Sequence, residues 1–120
     1  MARADDRAFA QQVHRLFAMG TVAGLSEGQL LERFRSRRDE AAFAALVERH
    51  GPMVLGVCRR LLADSHDVED AFQATFLVFV RKAGSLQEHR PLGPWLYGVA
   101  HRVAVRARAN AARRSAIPCA

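Results

Sequence analysis

An all-α fold, a compact helical bundle of about four to five helices, is what this sequence predicts, and three observations predict it. Apolar residues recur at three- and four-residue intervals along most of the chain, and no strand-like alternation runs far. Half of the 120 residues are hydrophobic, with Ala and Leu abundant, which excludes disorder as a description of the whole chain. The length suits one domain with one modest core and is too short for two.

Each element has its own local warrant. Residues 5–19 can form a short amphipathic helix, with Phe9, Val13, Leu16 and Phe17 on one side, and residues 1–24 are expected to be an N-terminal extension. Ser26 and Gln29 then have capping-box spacing, so Ser26 is the expected N-cap of a helix carrying Leu30, Leu31 and Phe34. Arg35 to Arg38 close it, where positive charge suits a helix C-terminus. Asp39 and Glu40 open the next stretch, and Phe43, Leu46, Val47, Val54, Leu55, Cys58, Leu61 and Leu62 mark its core stripe. Gly51-Pro52 interrupts that stripe, and a proline inside a helix costs about 3 kcal/mol. The apolar phase survives the break, which favours one kinked helix ending near Leu62 over two helices meeting there.

Asp64 or Ser65 caps a further helix running to about Ala83, with Val68, Phe72, Thr75, Phe76, Phe79 and Ala83 on its core face. Its other side carries Asp67, Asp70, Gln73, Ala74, Leu77 and Arg81. Asp70, Gln73 and Leu77 recur at the i, i+3, i+7 spacing of a docking face, although a single exposed Leu is normal in itself. Gly84 ends this helix, and a nine-residue link, Ser85 to Gly93, follows. Pro94 suits the first position of the last helix, where its missing N–H costs nothing. There Trp95, Leu96, Val99, Ala100, Val103 and Ala107 form the expected buried side. Arg102, Arg106 and Arg113 align on the Trp95 flank, and Tyr97, His101 and Arg108 lie on the other.

Charge is unevenly placed. Residues 1–88 hold twelve Lys/Arg and twelve Asp/Glu, whereas residues 89–120 hold six Arg (90, 102, 106, 108, 113 and 114) and no acid. The whole net charge of +6 therefore sits at the C-terminal end, as a footprint for polyanions would. Arg113 and Arg114 by themselves are as readily a solvated tail. An acid-free arginine row beside an aromatic residue, in contrast, can hold phosphates and stack on bases.

Other functions find no support. The chain has no Gly-rich phosphate loop, no HExxH and no Cys/His metal cluster, and its five histidines (14, 50, 66, 89 and 101) are scattered. Neither an enzyme nor a cofactor is expected. Cys58 reads as a small buried hydrophobe and Cys119 as part of a frayed end, which fits a reducing compartment. Asp5 and Asp6 precede any apolar run, which argues against a signal peptide, and no apolar stretch approaches the roughly 18–20 residues that span a bilayer. A cytoplasmic location is the expectation.

Four linked stretches resemble a known family. Asp39-Glu40-Ala41-Ala42-Phe43-Ala44-Ala45-Leu46-Val47, His50-Gly51-Pro52-Met53-Val54, Asp67 through Leu77, and Trp95-Leu96-Tyr97-Gly98-Val99-Ala100 are similar, in order and spacing, to the second region of extracytoplasmic-function (ECF) RNA polymerase sigma factors. The resemblance covers roughly residues 25–114, with 115–120 left as a tail. It implies a helical bundle that docks on the clamp helices of the polymerase β′ subunit and recognises and melts the promoter minus-ten element. Asp70 and Gln73 match the docking positions, beside Leu77, with Asp67, Ala74 and Arg81 as further candidate docking residues on the same side. The link Ser85–Gly93 matches the segment that captures a flipped base of the non-template strand, which makes His89 and Arg90 candidate DNA contacts. The helix from Trp95 matches the melting helix, placing Arg102, Arg106 and Arg108 on DNA, with Trp95, His101 and Arg113 as further candidate DNA contacts and with Trp95 and Tyr97 chiefly bracing the link against the core.

Two positions depart from the pattern: Ala74 stands where many relatives carry Glu, and Pro94 where Ser or Thr often caps the melting helix. No fourth-region helix-turn-helix follows, so a truncated or split product, or a fragment unable to start transcription unaided, is expected. A competing expectation is a protein–protein module that binds polymerase or an anti-sigma factor without productive promoter binding. A generic helix-turn-helix duplex binder is disfavoured, because a nine-residue link is long for that motif.

Overall fold

The computed structural model describes residues 22–86 and 90–116, so the expected helix over 5–19, His89 and Cys119 lie outside the described residues. Those described form four α-helices and one short 3-10 turn, with no strand among them: α1 (Glu27–Arg37), α2 (Glu40–Leu61), α3 (Ser65–Lys82), the turn Ala83–Ser85, and α4 (Leu92–Ala116). The chain divides into two units, residues 1–46 and 47–120, with α2 running through the boundary. No helix is long and apolar enough among the described residues to cross a membrane.

In the first unit, local chemistry sets the helix ends. The Ser26 hydroxyl accepts from the Gln29 N–H at 3.2 Å, and the Gln29 side chain accepts from the Ser26 N–H at 2.8 Å, closing the expected capping box. Leu30, Leu31 and Phe34 are buried. Arg38 takes the left-handed conformation that ends α1 (φ 52°), its N–H donates to the Phe34 carbonyl, and its guanidinium lies 4.9 Å over the Phe34 ring. One carboxylate oxygen of Asp39 accepts from the N–H groups of Ala41 and Ala42, so Asp39 caps the start of α2. Phe43, one turn into α2, packs on Phe34 with ring centroids 5.1 Å apart.

α2 passes through Pro52 without ending, as the unbroken apolar phase predicts. Proline normally drives its predecessor out of helical conformation by a clash that involves the predecessor's Cβ. Here that predecessor is Gly51, which has none. Gly51 is also buried, and a Cβ there would sit 3.6 Å from the Phe72 ring of α3. The missing side chain thus serves the proline, and at 3.6 Å the Phe72 ring packs directly over Gly51.

The second unit rests on α3 against α4, its most extensive helix pairing. Asp64 caps α3 by accepting from the N–H groups of His66 and Asp67. Val68, Ala71, Thr75, Phe76 and Phe79 are buried, and Phe72 is half-buried, its ring 5.2 Å from that of Phe76. Thr75 satisfies its buried hydroxyl by donating to the Ala71 carbonyl at 2.8 Å. From α4, Leu92, Leu96, Val99, Ala100 and Ala104 are buried. Phe79, near the end of α3, meets Trp95, near the start of α4, edge-on at 6.4 Å. Arg114, near the end of α4, meets Asp67, near the start of α3, at 3.3 Å. Contacts at opposite ends of the two sequences make the pair antiparallel.

One boundary differs from expectation. α4 begins at Leu92 rather than Pro94, so Leu92 and Gly93 belong to the helix and the link is shorter. Pro94 falls in the third position, still within the first turn, where N–H groups lack intrahelical partners and proline forfeits none. Leu92 is buried, which draws the extra residues into the helix, and Gly93 repeats the Cβ-free solution before a proline. A Cβ on Gly93 would lie 3.7 Å from the His50 ring, so the first turn of α4 seats against α2.

Candidate functional site: two outer faces of one helical pair

Because α3 and α4 bury facing stripes, each turns its remaining surface outward. On α3 that surface contains Asp70, Gln73, Leu77 and Arg81, all exposed, with Ala74 half-buried beside them. At 100° per residue these five fall within an arc of about 100°. Leu77 is 57% exposed, the largest value among the exposed large hydrophobic residues described. Asp67 lies at the edge of this stripe, one turn before Asp70 and Ala71. It is only partly exposed and meets Arg114 of α4 at 3.3 Å.

On α4, Arg102, Arg106 and Arg113 are exposed and share one flank, spanning about 16 Å along the axis at 1.5 Å per residue. The Arg102 guanidinium folds back along the helix: a Cβ on Gly98 would lie 3.4 Å from its Nη1. Arg90, in the link, is exposed. Trp95 is half-buried with its ring against Phe79, so it anchors the start of α4 and leaves only part of its surface open. Arg108 is exposed on the opposite flank. It lines an open groove of about 560 Å³ with Asp64, Asp67 and Arg114, where acids offset part of its charge.

Tyr97 is 45% exposed, and its ring stacks on that of exposed His101, one turn on, at 6.4 Å and 21°. The i, i+4 spacing of two aromatic rings was the available signal. Arg114 was also missed as a structural residue: its partner lies 47 positions away, and nothing local announces such a pairing. Cys58 is fully buried, and burial raises its thiol above the ordinary value, so it is an inert core residue. Among the described residues no group of three or more His, Cys, Asp or Glu could hold a metal ion.

Comparison with known proteins fits these faces into a family. The family model for sigma-70 region 2 matches residues 46–114. The RNA polymerase sigma factor CarQ of Myxococcus xanthus is 37% identical over 83 residues, which cover 69% of this chain and 42% of that protein. The chain therefore spans about two fifths of the length of that curated relative. An NMR structure of an engineered region 2 of sigmaE in complex with GTAAAA superposes with a TM-score of 0.70 at 29% identity, covering 79% of this chain and 98% of that one. The matched segment takes in most of α2 and all of α3 and nearly all of α4, the helices that carry both outer faces. The chain belongs to the sigma-70 region 2 family, in keeping with its ECF sigma factor motifs.

Proposed function

We propose that this chain is the polymerase-docking and promoter-opening part of a sigma factor, acting in the cytoplasm. The outer stripe of α3 (Asp70, Gln73, Ala74, Leu77 and Arg81) binds the clamp helices of the RNA polymerase β′ subunit, with Asp67 holding α4 in place behind it. The link with His89 and Arg90, together with Trp95, Arg102, Arg106 and Arg113 of α4, captures and melts the minus-ten element as single-stranded non-template DNA.

The observation that carries this reading is segregation. One antiparallel pair presents a mixed polar stripe with an exposed Leu77 on one helix and an acid-free arginine row on the other. The first suits a protein partner, for which a central apolar anchor inside a polar rim is the usual arrangement. The second suits a phosphate backbone, whose neutralisation releases counterions. The complex of the sigmaE region 2 with GTAAAA supports a single-stranded ligand. Base capture must offset roughly a few kcal/mol of unstacking, which phosphate contacts along α4 would help to supply.

Fluorescence anisotropy with single-stranded GTAAAA, a scrambled hexamer and a matched duplex, run across a salt series beside polymerase co-purification, tests the proposal. Selective single-strand binding that weakens as salt rises, together with retention of polymerase, is the expected result. Polymerase retention without selective binding at any salt would replace promoter opening with a docking module, whose competitor would be an anti-sigma factor.

A further inference from the structure

We infer that the outer stripe of α3 is self-complementary: two copies of this chain pair along it, antiparallel, and the pairing covers the stripe. The pairing stands on the geometry of α3 alone, and only its consequence for polymerase rests on the proposed docking.

One exposed leucine carries nothing by itself. The spacing around it does. Asp70, Ala74, Leu77 and Arg81 recur at intervals of four, three and four residues, the seam of one helix packed on another. At 100° per residue they fall within an arc of about 60°. This spacing reads the same in both directions, so an antiparallel copy meets it in register. The midpoint lies between Thr75 and Phe76, and residues equally far from it on either side come level. Leu77, 57% exposed, then meets Ala74 of the second copy, whose small side chain leaves room for it. Asp70 comes level with Arg81 of the second copy, and by two-fold symmetry each contact occurs twice.

Charge selects this occupant and this direction. Asp70 and Arg81 are exposed, and neither makes an ion pair among the described residues. Antiparallel packing gives each its opposite, whereas a parallel copy would set Asp70 on Asp70 and Arg81 on Arg81. The two α3 dipoles also oppose each other only in the antiparallel pair. A seam of four residues is short, so the contact belongs with weak, transient interfaces, half-associated between about 10 μM and about 1 mM. Polymerase and a second copy cannot hold one stripe together, so the weak pair yields to the tighter partner.

Sedimentation equilibrium of the 120-residue chain across that concentration range tests the pairing. The average mass should rise from that of one chain toward that of two. Asp70→Arg alone, or Arg81→Asp alone, sets like charges level with each other and should weaken association about tenfold or more. An equimolar mixture of these two variants forms both opposite-charge pairs in the mixed dimer, so association should return to near that of the parent. Recovery in the mixture also shows that both variants are folded. Added polymerase should draw the parent chain out of the dimer. A parent chain that stays monomeric up to about 1 mM would overturn the pairing, and so would a mixture that stays monomeric where the parent associates; both results leave polymerase docking standing. A dimer that passes the charge exchange and is undiminished by polymerase would instead overturn the shared use of the stripe, and with it the docking assignment.

Discussion

α3 and α4 begin as near-equivalents and end as opposites. Each buries an apolar stripe against the other, and each has an exposed remainder. On α3 that remainder mixes Asp70, Gln73, Leu77 and Arg81, whose charges largely cancel; on α4 it is arginine without acid. A cancelled surface has little reach beyond a Debye length of about 8 Å at physiological salt, so it selects a partner by contact shape and by what it desolvates. An uncancelled one attracts a polyanion from a distance and is sensitive to ions. On the proposed function, the same packing scheme serves two kinds of recognition, and each should be open to disturbance without the other.

The largest effect comes from removing what the two helices share. Phe79 is fully buried and meets Trp95 across the pair. Phe79→Ala is expected to cost about 3–5 kcal/mol, seen as a lower urea midpoint and a changed Trp95 emission, with both binding activities falling together. If one activity survived at full strength, the two faces would not depend on a common core.

Separating the faces takes surface changes. Leu77→Glu places a charge at the centre of the α3 stripe and should weaken polymerase retention by about tenfold or more, a hot-spot loss, while hexamer affinity and urea midpoint stay near those of the parent. Arg102→Ala with Arg106→Ala should do the reverse. Each phosphate contact on a single strand contributes about 0.7 to the slope of log affinity against log salt, so the pair should flatten it by about 1.4, with polymerase retention unaltered. An equal loss of polymerase binding in the arginine variant would mean that the faces are not distinct.

The smallest effect belongs to the tie between the helices. Arg114 is two-thirds exposed, and its contact with Asp67 is screened by water. Arg114→Ala should cost less than about 1 kcal/mol, and Asp67→Ala the same, with no additivity in the double variant. Urea titration of the three proteins measures this. A larger loss of polymerase binding from Asp67→Ala than from Arg114→Ala would make Asp67 part of the docking contact.

Much of this architecture was legible in local sequence, for a physical reason. Ser26 with Gln29, and Asp64 before His66 and Asp67, satisfy backbone groups within three residues of themselves, so their hydrogen bonds can be read without knowing the fold. The apolar phase across Pro52 carried the continuity of α2, because burial recurs with helical period whether or not one hydrogen bond is missing. The outer stripe of α3 and the arginine row of α4 followed from the same periodicity.

What sequence alone determined here is therefore the all-α class, the helix caps and the outward stripes, all properties of residues within one turn or along one helix. What only the tertiary structure decided is whatever depends on distant neighbours. The start of α4 moved to Leu92 because that residue is buried and Gly93 meets His50, far back in the chain. Asp67 is paired with Arg114, 47 residues on, a contact that no local pattern announces. Tyr97 proved exposed and stacked because the α4 face that meets α3 is filled by Leu96, Val99, Ala100 and Ala104, leaving the ring outside. Periodicity fixes an angle around a helix axis, but packing decides how wide an arc of that helix its neighbours cover.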